Sequence, residues 1–156
     1  MTLPAVGAPA PDFILDRDDG APLSLAALRG QVVVLFFYPR DDTSGCTTES
    51  CEFRDLVPRF DVAGAQVLGV SPDPVKSHAK FRAKHGLNFP LLADVDHAVS
   101  ERYGVWQERS MYGRRYMGIA RTTFVIDREG RIAHVFEKVK PAGHAAEVAA
   151  AVDALS

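Results

Sequence analysis

The longest apolar run of the chain is Val32 to Tyr38, seven residues with no polar alternation. β-Branched and aromatic residues in such a run predict a strand covered on both faces, and we expect it over residues 31–38. Further along the period changes. Phe53, Leu56, Val57 and Phe60 stand at i, i+3, i+4 and i+7, the spacing of one apolar helix face. Pro58 falls inside that pattern and is expected to kink or end the helix. Ala65–Val70 and Phe89–Ala93 read as strands, and Ala145–Leu155 reads as a closing helix with Val148, Val152 and Leu155 inward. Asp73-Pro74 reads as an N-cap followed by proline at the first helical position, with Gly86 as the stop. Shorter elements are expected as a strand over Asp12–Leu15, a turn at Asp18-Asp19-Gly20 and a helical turn over Leu25–Leu28 capped by Ser24 and stopped by Gly30. A short helix is expected over Asp96–Tyr103, ended by Gly104. Residues 107–120 show neither period and read as loop. Thr122–Asp127 and Arg131–Glu137 flank Arg128-Glu129-Gly130, a hairpin signal. Residues 1–11, rich in proline and alanine, read as extended.

Strands alternating with helices imply parallel β-α-β units, and the late hairpin adds antiparallel strands. The expected fold is therefore α/β and thioredoxin-like: a central mixed β-sheet flanked by helices, with an N-terminal extension. A length of 156 residues suits one domain over residues 1–156. In that architecture a reactive cysteine sits after a buried central strand, at the N-terminus of the next helix.

Charge narrows the function. Lys plus Arg is 18 and Asp plus Glu is 20, a net charge of -2, which argues against nucleic-acid binding by phosphate neutralisation. No apolar run approaches the ~18 residues of a membrane helix. The segment Met1 to Pro9 lacks the basic start and apolar core of a secretion signal, so the expected compartment is cytoplasmic, where structural disulfides are rare. The five histidines share no ligand spacing with the two cysteines, so no metal or cofactor is expected, and the histidines read as surface residues.

Cys46 and Cys51 are the only cysteines. Cys46 follows the buried strand at a predicted helix start, where unpaired backbone N–H groups and the positive end of the helix dipole favour negative charge. Position alone leaves open an inert buried thiol. Five steps along a regular helix separate two Cα atoms by about 8.5–9 Å, beyond the ~7 Å that a disulfide bridges without backbone movement. A static bridge within the helix is thereby excluded, while a transient one that unwinds the first turns is not. The four-residue gap also differs from the Cys-x-x-Cys of dithiol reductases.

Pro39-x-x-x-Thr43-x-x-Cys46 resembles the peroxiredoxin active-site motif, and Cys51 is placed as in the bacterioferritin comigratory protein, or Q-type, subclass with two cysteines. The similarity runs nearly end to end: Gly7 to Phe13, Phe37-Tyr38-Pro39, Gly104-Val105-Trp106, Met117 to Asp127, Val139-Lys140 and Gly143-His144. One departure is Ser44, where the subclass carries proline.

The resemblance implies reduction of hydrogen peroxide and organic hydroperoxides. Cys46 would be oxidised to a sulfenic acid, Cys51 would resolve it as a disulfide, and thioredoxin or a similar thiol donor would reduce that disulfide. Thr43, the backbone N–H groups near Gly45 and Cys46, and Arg121 would stabilise the breaking O–O bond. Pro39 would shield the sulfur, Glu49 would orient Arg121, and Trp106 would be core or pocket wall. Such donors are needed. Lowering a thiol's pKa from ~8.5 to ~6 raises its thiolate fraction at pH 7 roughly 30-fold. Lost nucleophilicity offsets about 10- to 18-fold of that, so ionisation alone gains only a few-fold.

Two other readings compete: a cysteine hydrolase pairing Cys46 with a histidine, and a non-enzymatic thioredoxin-fold binding module or holdase. The basic stretch of Arg109, Arg114, Arg115 and Arg121, interleaved with Met111, Tyr112, Tyr116 and Met117, reads as a solvated loop. The resemblance implies a monomer, the frequent state of that subclass, and no exposed apolar stripe is expected that would argue otherwise.

Overall fold

A computed structural model describes residues 2–155. In chain order the elements are β1 (Ile14–Arg17), β2 (Pro22–Ser24), a 3-10 turn (Leu25–Leu28), β3 (Val32–Phe37), α1 (Ser44–Val62), β4 (Ala65–Ser71), α2 (Val75–His85) and β5 (Leu91–Ala93). They continue with α3 (Ala98–Arg102), β6 (Trp106–Met111), β7 (Arg114–Ile119), β8 (Thr122–Ile126), β9 (Ile132–Phe136) and α4 (His144–Asp153).

Seven strands form one mixed sheet in the order β2-β1-β5-β4-β3-β8-β9. The β3, β4 and β5 strands are parallel, whereas β8 and β9 on one side and β1 and β2 on the other run antiparallel. The apolar run becomes β3 for the expected reason: every one of its residues is buried. Val32, Val34, Phe36 and Tyr38 face one core with Phe53 and Phe60 of α1, Phe81 of α2 and Val148 of α4. Val33, Leu35 and Phe37 face the other, with Phe13, Val99 and Tyr103. The N-terminal extension lies against the β8–β9 hairpin, with Gly7 N donating to Ile132 O at 2.8 Å and Ile132 N to Ala8 O at 2.9 Å.

Several expectations are corrected. Pro58 neither ends nor interrupts α1, which continues to Val62. Its missing N–H leaves the Arg54 carbonyl without a helical donor, and Asn88 Nδ2 supplies one at 3.2 Å. Residues 107–120 are not a loop: they form the β6–β7 hairpin, turned at Tyr112 and Gly113, both at positive φ as a type I′ turn requires. Beyond its base, where Ile119 is buried and Trp106 packs on the core, this hairpin stands off the molecule, so most of its length carries no buried face and no alternation. Met111, Tyr112, Tyr116 and Met117 are all exposed on it, which removes the absence of an exposed apolar stripe as an argument for a monomer. Asp73 does not cap α2; Pro74 holds the N-cap position, and the Asp73 carboxylate turns to Asp41 N and Ser71 Oγ. The first strand begins two residues later than expected, because Asp12 Oδ1 is engaged by Phe13 N and Ala26 N. Asp12, not Ser24, thus serves the 3-10 turn. His78 and His144 are buried rather than on the surface.

Candidate active site

The chain leaves β3 at Phe37, crosses a six-residue link (38–43) and enters α1 with Cys46 as its third helical residue. The helix presents Cys46, Glu49, Ser50 and Phe53 to the interior, i, i+3, i+4 and i+7 on one face, all fully buried. Cys51 falls outside that stripe and is only partly buried; both thiols are free.

Arg121, in the short link between β7 and β8, reaches across to this face. Its Nη2 donates to Cys46 Sγ at 3.2 Å and its Nη1 donates to Glu49 Oε1 at 2.7 Å. One planar guanidinium therefore fixes the distance between sulfur and carboxylate. Burial works against the charge of Arg121, but Glu49 and the Cys46 sulfur outweigh it and raise its pKa. Burial dominates at Glu49 and pushes its carboxyl up to about 7, with Arg121 opposing the rise. The second oxygen, Oε2, has no hydrogen-bond donor and lies 4.0 Å from His144 Nε2. His144 offers it no cation: burial lowers the imidazole pKa, and its Nε2 is engaged by Thr123 Oγ1 at 2.7 Å. His144 and Thr123 escaped the sequence reading, although Gly143-His144 was among the matching segments.

Gly45 lets Arg121 in. A Cβ there would stand 3.3 Å from Arg121 Nη2 and 3.4 Å from Pro141 Cγ, tighter than ordinary packing. Thr43 is the N-cap residue by position, yet its hydroxyl donates to Arg40 O at 3.0 Å and leaves its lone pairs for an outside donor. Pro39 and Arg121 line an open hollow of about 380 Å³ together with Arg109, Ile119 and Val139. Trp106 is not part of that hollow; its ring stacks on His97 with centroids 4.0 Å apart. Ser44 takes the first helical position, which accepts proline or serine alike.

The loop before Cys46 is anchored from below. Tyr38 Oη donates to Asp41 Oδ1 at 2.6 Å, Ser77 Oγ donates to Asp41 Oδ2 at 2.7 Å, and His78 Nδ1 lies 2.8 Å from the same oxygen. His78 Nε2 faces the Leu92 carbonyl at 3.0 Å. Asp41, Asp73 and His78 bring their ligand atoms within 4.8 Å of one another, but protein donors already occupy these oxygens. Next to it, Asp42 holds a left-handed φ of 59° and is clamped by Lys84 Nζ at 2.7 Å and His85 Nε2 at 3.0 Å.

A buried thiol hydrogen-bonded to a fixed cation, whose guanidinium also lines a solvent-facing hollow, suits attack on a small electrophile that sheds negative charge. A histidine-activated hydrolase would need an imidazole at the sulfur. Among the described residues, the hydrogen-bond partner of Cys46 Sγ is Arg121.

The relatives agree with this chemistry. Residues 6–135 match the AhpC/TSA family. Peroxiredoxin Bcp of Bacillus subtilis is 46% identical over 142 residues, covering 91% of this chain and 90% of that one. Among solved structures, a cysteine-to-serine variant of Xylella fastidiosa PrxQ superposes with a TM-score of 0.94 at 37% identity, covering 99% of each chain. The bacterioferritin comigratory protein of Xanthomonas campestris, studied for alkyl peroxide reduction, superposes with a TM-score of 0.88 at 45% identity, covering 92% of this chain and 91% of that one. With the sheet order, the two free cysteines and the Arg121-bound thiol already in place, the conclusion follows that this chain belongs to the AhpC/TSA family as a peroxiredoxin of the Bcp/PrxQ type, a thiol peroxidase.

Proposed function

We propose that Cys46 is the thiol that attacks the peroxide and Cys51 the thiol that resolves it. The observation that carries this reading is the contact of Arg121 with Cys46 Sγ, shared with Glu49. The Cys46 thiolate attacks the terminal oxygen of the hydroperoxide, the S–O bond forms and the O–O bond breaks. Charge moves to the departing oxygen, which takes a proton and leaves as water or an alcohol. Arg121 and the N–H groups of the first turn of α1 stabilise that charge, and the Thr43 hydroxyl accepts from the peroxide's own O–H. The hollow of about 380 Å³ beside Pro39 and Arg121 supports both hydrogen peroxide and organic hydroperoxides as substrates.

Cys51 then condenses with the sulfenic acid to a disulfide, releasing water. A thioredoxin-like dithiol reduces the disulfide, a reaction that suits the reducing cytoplasm as the compartment. A monomer is the state proposed, since Cys46, Arg121 and Glu49 already touch one another within a single chain. Among the described residues no helix is long and apolar enough to cross a membrane.

Mass spectrometry after one equivalent of peroxide tests the division of roles. Cys46→Ser is expected to consume no peroxide, and Cys51→Ser to consume about one equivalent and retain a sulfenic acid. Sulfenic acid on Cys51 with Cys46 untouched would reverse the assignment.

A further inference from the structure

Arg54 follows Cys51 by one helical turn and directs its guanidinium back onto the sulfur, with Nη1 3.6 Å from Cys51 Sγ. The same nitrogen donates to the His85 carbonyl at 2.7 Å, and Nε donates to Asp55 Oδ1 at 3.0 Å. His85 ends α2, so the cation sits where a helix presents unpaired carbonyls and favours positive charge. The Arg54 backbone is tied to the same region through the Asn88 bond to its carbonyl. Side chain and main chain are thus both fastened to the 85–88 connection, and the guanidinium is held beside the second thiol rather than left in solvent.

We propose that Arg54 is a catalytic residue of the resolving half of the cycle, holding negative charge on Cys51 Sγ whenever that sulfur attacks or leaves. The proposal rests on Cys51 being the resolving thiol. In the forward step the Cys51 thiolate forms the S–S bond, the S–O bond of the Cys46 sulfenic acid breaks, and hydroxide departs and takes a proton to become water. In the reductive step a thiolate of the dithiol donor attacks Cys46 Sγ. The S–S bond breaks and its electron pair returns to Cys51. The donor's second thiol then frees Cys46, leaving the donor oxidised. A thiolate is expelled faster when its charge is better held, so one cation serves both directions. Arg121 and Arg54 then divide the work, one guanidinium per sulfur.

Stopped-flow mixing with one equivalent of hydrogen peroxide resolves loss of the Cys46 thiol from formation of the disulfide. Arg54→Gln is expected to slow the second phase about tenfold, and Arg54→Lys, which keeps the charge without the fork, to fall between it and wild type. Iodoacetamide alkylation of Cys51 in a Cys46→Ser background supplies a readout that helix packing alone does not move. Arg54→Gln should lower the alkylation rate near neutral pH and converge with its parent in alkali. Should Arg54→Gln fail to fold, Arg54→Lys carries both comparisons. A second phase as fast as wild type in Arg54→Gln, or faster, would overturn the proposal. A wild-type protein that forms no Cys46–Cys51 disulfide at all would instead overturn the resolving role of Cys51, and the proposal with it.

Discussion

Arg121 donates to Glu49 at 2.7 Å with one guanidinium nitrogen and to Cys46 Sγ at 3.2 Å with the other. The carboxylate therefore sets where the cation stands before any peroxide arrives. The buried pair is finely balanced, because burial disfavours the very charge on Glu49 that holds Arg121 in place.

Arg121→Ala is expected to slow peroxide reaction by about 10²- to 10³-fold, the usual loss for one donor to a developing anion. The comparison belongs at alkaline pH, with Cys46 fully thiolate in both proteins. A mutant that matches wild type there would reduce Arg121 to a device for ionising the thiol.

Gly45→Ala separates stability from activity. Alanine in a helix gains up to ~1 kcal/mol over glycine, which offsets part of the strain of pressing Arg121 away from buried Glu49, so melting should change little beside the activity. Its Cβ would press on Arg121 Nη2 from 3.3 Å, and peroxide reduction should fall about tenfold as the guanidinium leaves the sulfur. Thermal melts and peroxide kinetics on one preparation test both halves.

Glu49 gives stability a defined pH dependence. Its folded pKa, about 7, lies above the ordinary 4.5, so its contribution is greatest below 4.5 and is lost as pH rises through about 7. The gap, at 1.36 kcal/mol per pH unit, is about 3 kcal/mol. Glu49→Gln should therefore gain on wild type by up to that amount between pH 5 and pH 8. Denaturant melts at the two pH values read the difference, and a constant gap would show that Glu49 is ionised at both.

The Asp41–His78 pair should matter to the fold as well as to the loop. His78→Phe removes the partner of a buried carboxylate and is expected to cost about 3–5 kcal/mol. Asp41→Asn, which keeps the shape and can still accept from Tyr38, should cost less. Urea unfolding of the two variants orders them, and the reverse order would mean that the His78 contact is not what holds Asp41 in place.

Forming the Cys46–Cys51 disulfide should unwind the start of α1, and the contacts say where unwinding stops. Gly143 N donates to Glu52 Oε1 at 2.8 Å, Phe53 is fully buried, and Asn88 holds the Arg54 carbonyl. Hydrogen exchange should therefore quicken on oxidation for amides from Thr47 to Cys51 and stay slow beyond Phe53. Equal protection in both redox states would show that no unwinding is needed.

Much of this protein is written in local patterns. The run at Val32 to Tyr38 had to be a central strand, because nothing in it tolerates water on either face. The helix face at Phe53, Leu56, Val57 and Phe60 and the motif from Pro39 to Cys46 likewise need only neighbours in sequence, and they placed the thiol at a helix start. What stayed hidden depends on distant partners. Pro58 is harmless only because Asn88, thirty residues on, supplies the missing donor. The β6–β7 hairpin buries only its base, at Trp106 and Ile119, and so leaves no period to read. His78 and His144 looked like surface residues because burial is decided by what folds over them: Asp41 and Leu92 for one, Thr123 and Glu49 for the other. The state of Glu49 is the sharpest case. Its position one turn past Cys46 was plain in the sequence, but the desolvation that lifts its carboxyl to about 7 exists only once the chain has closed around it.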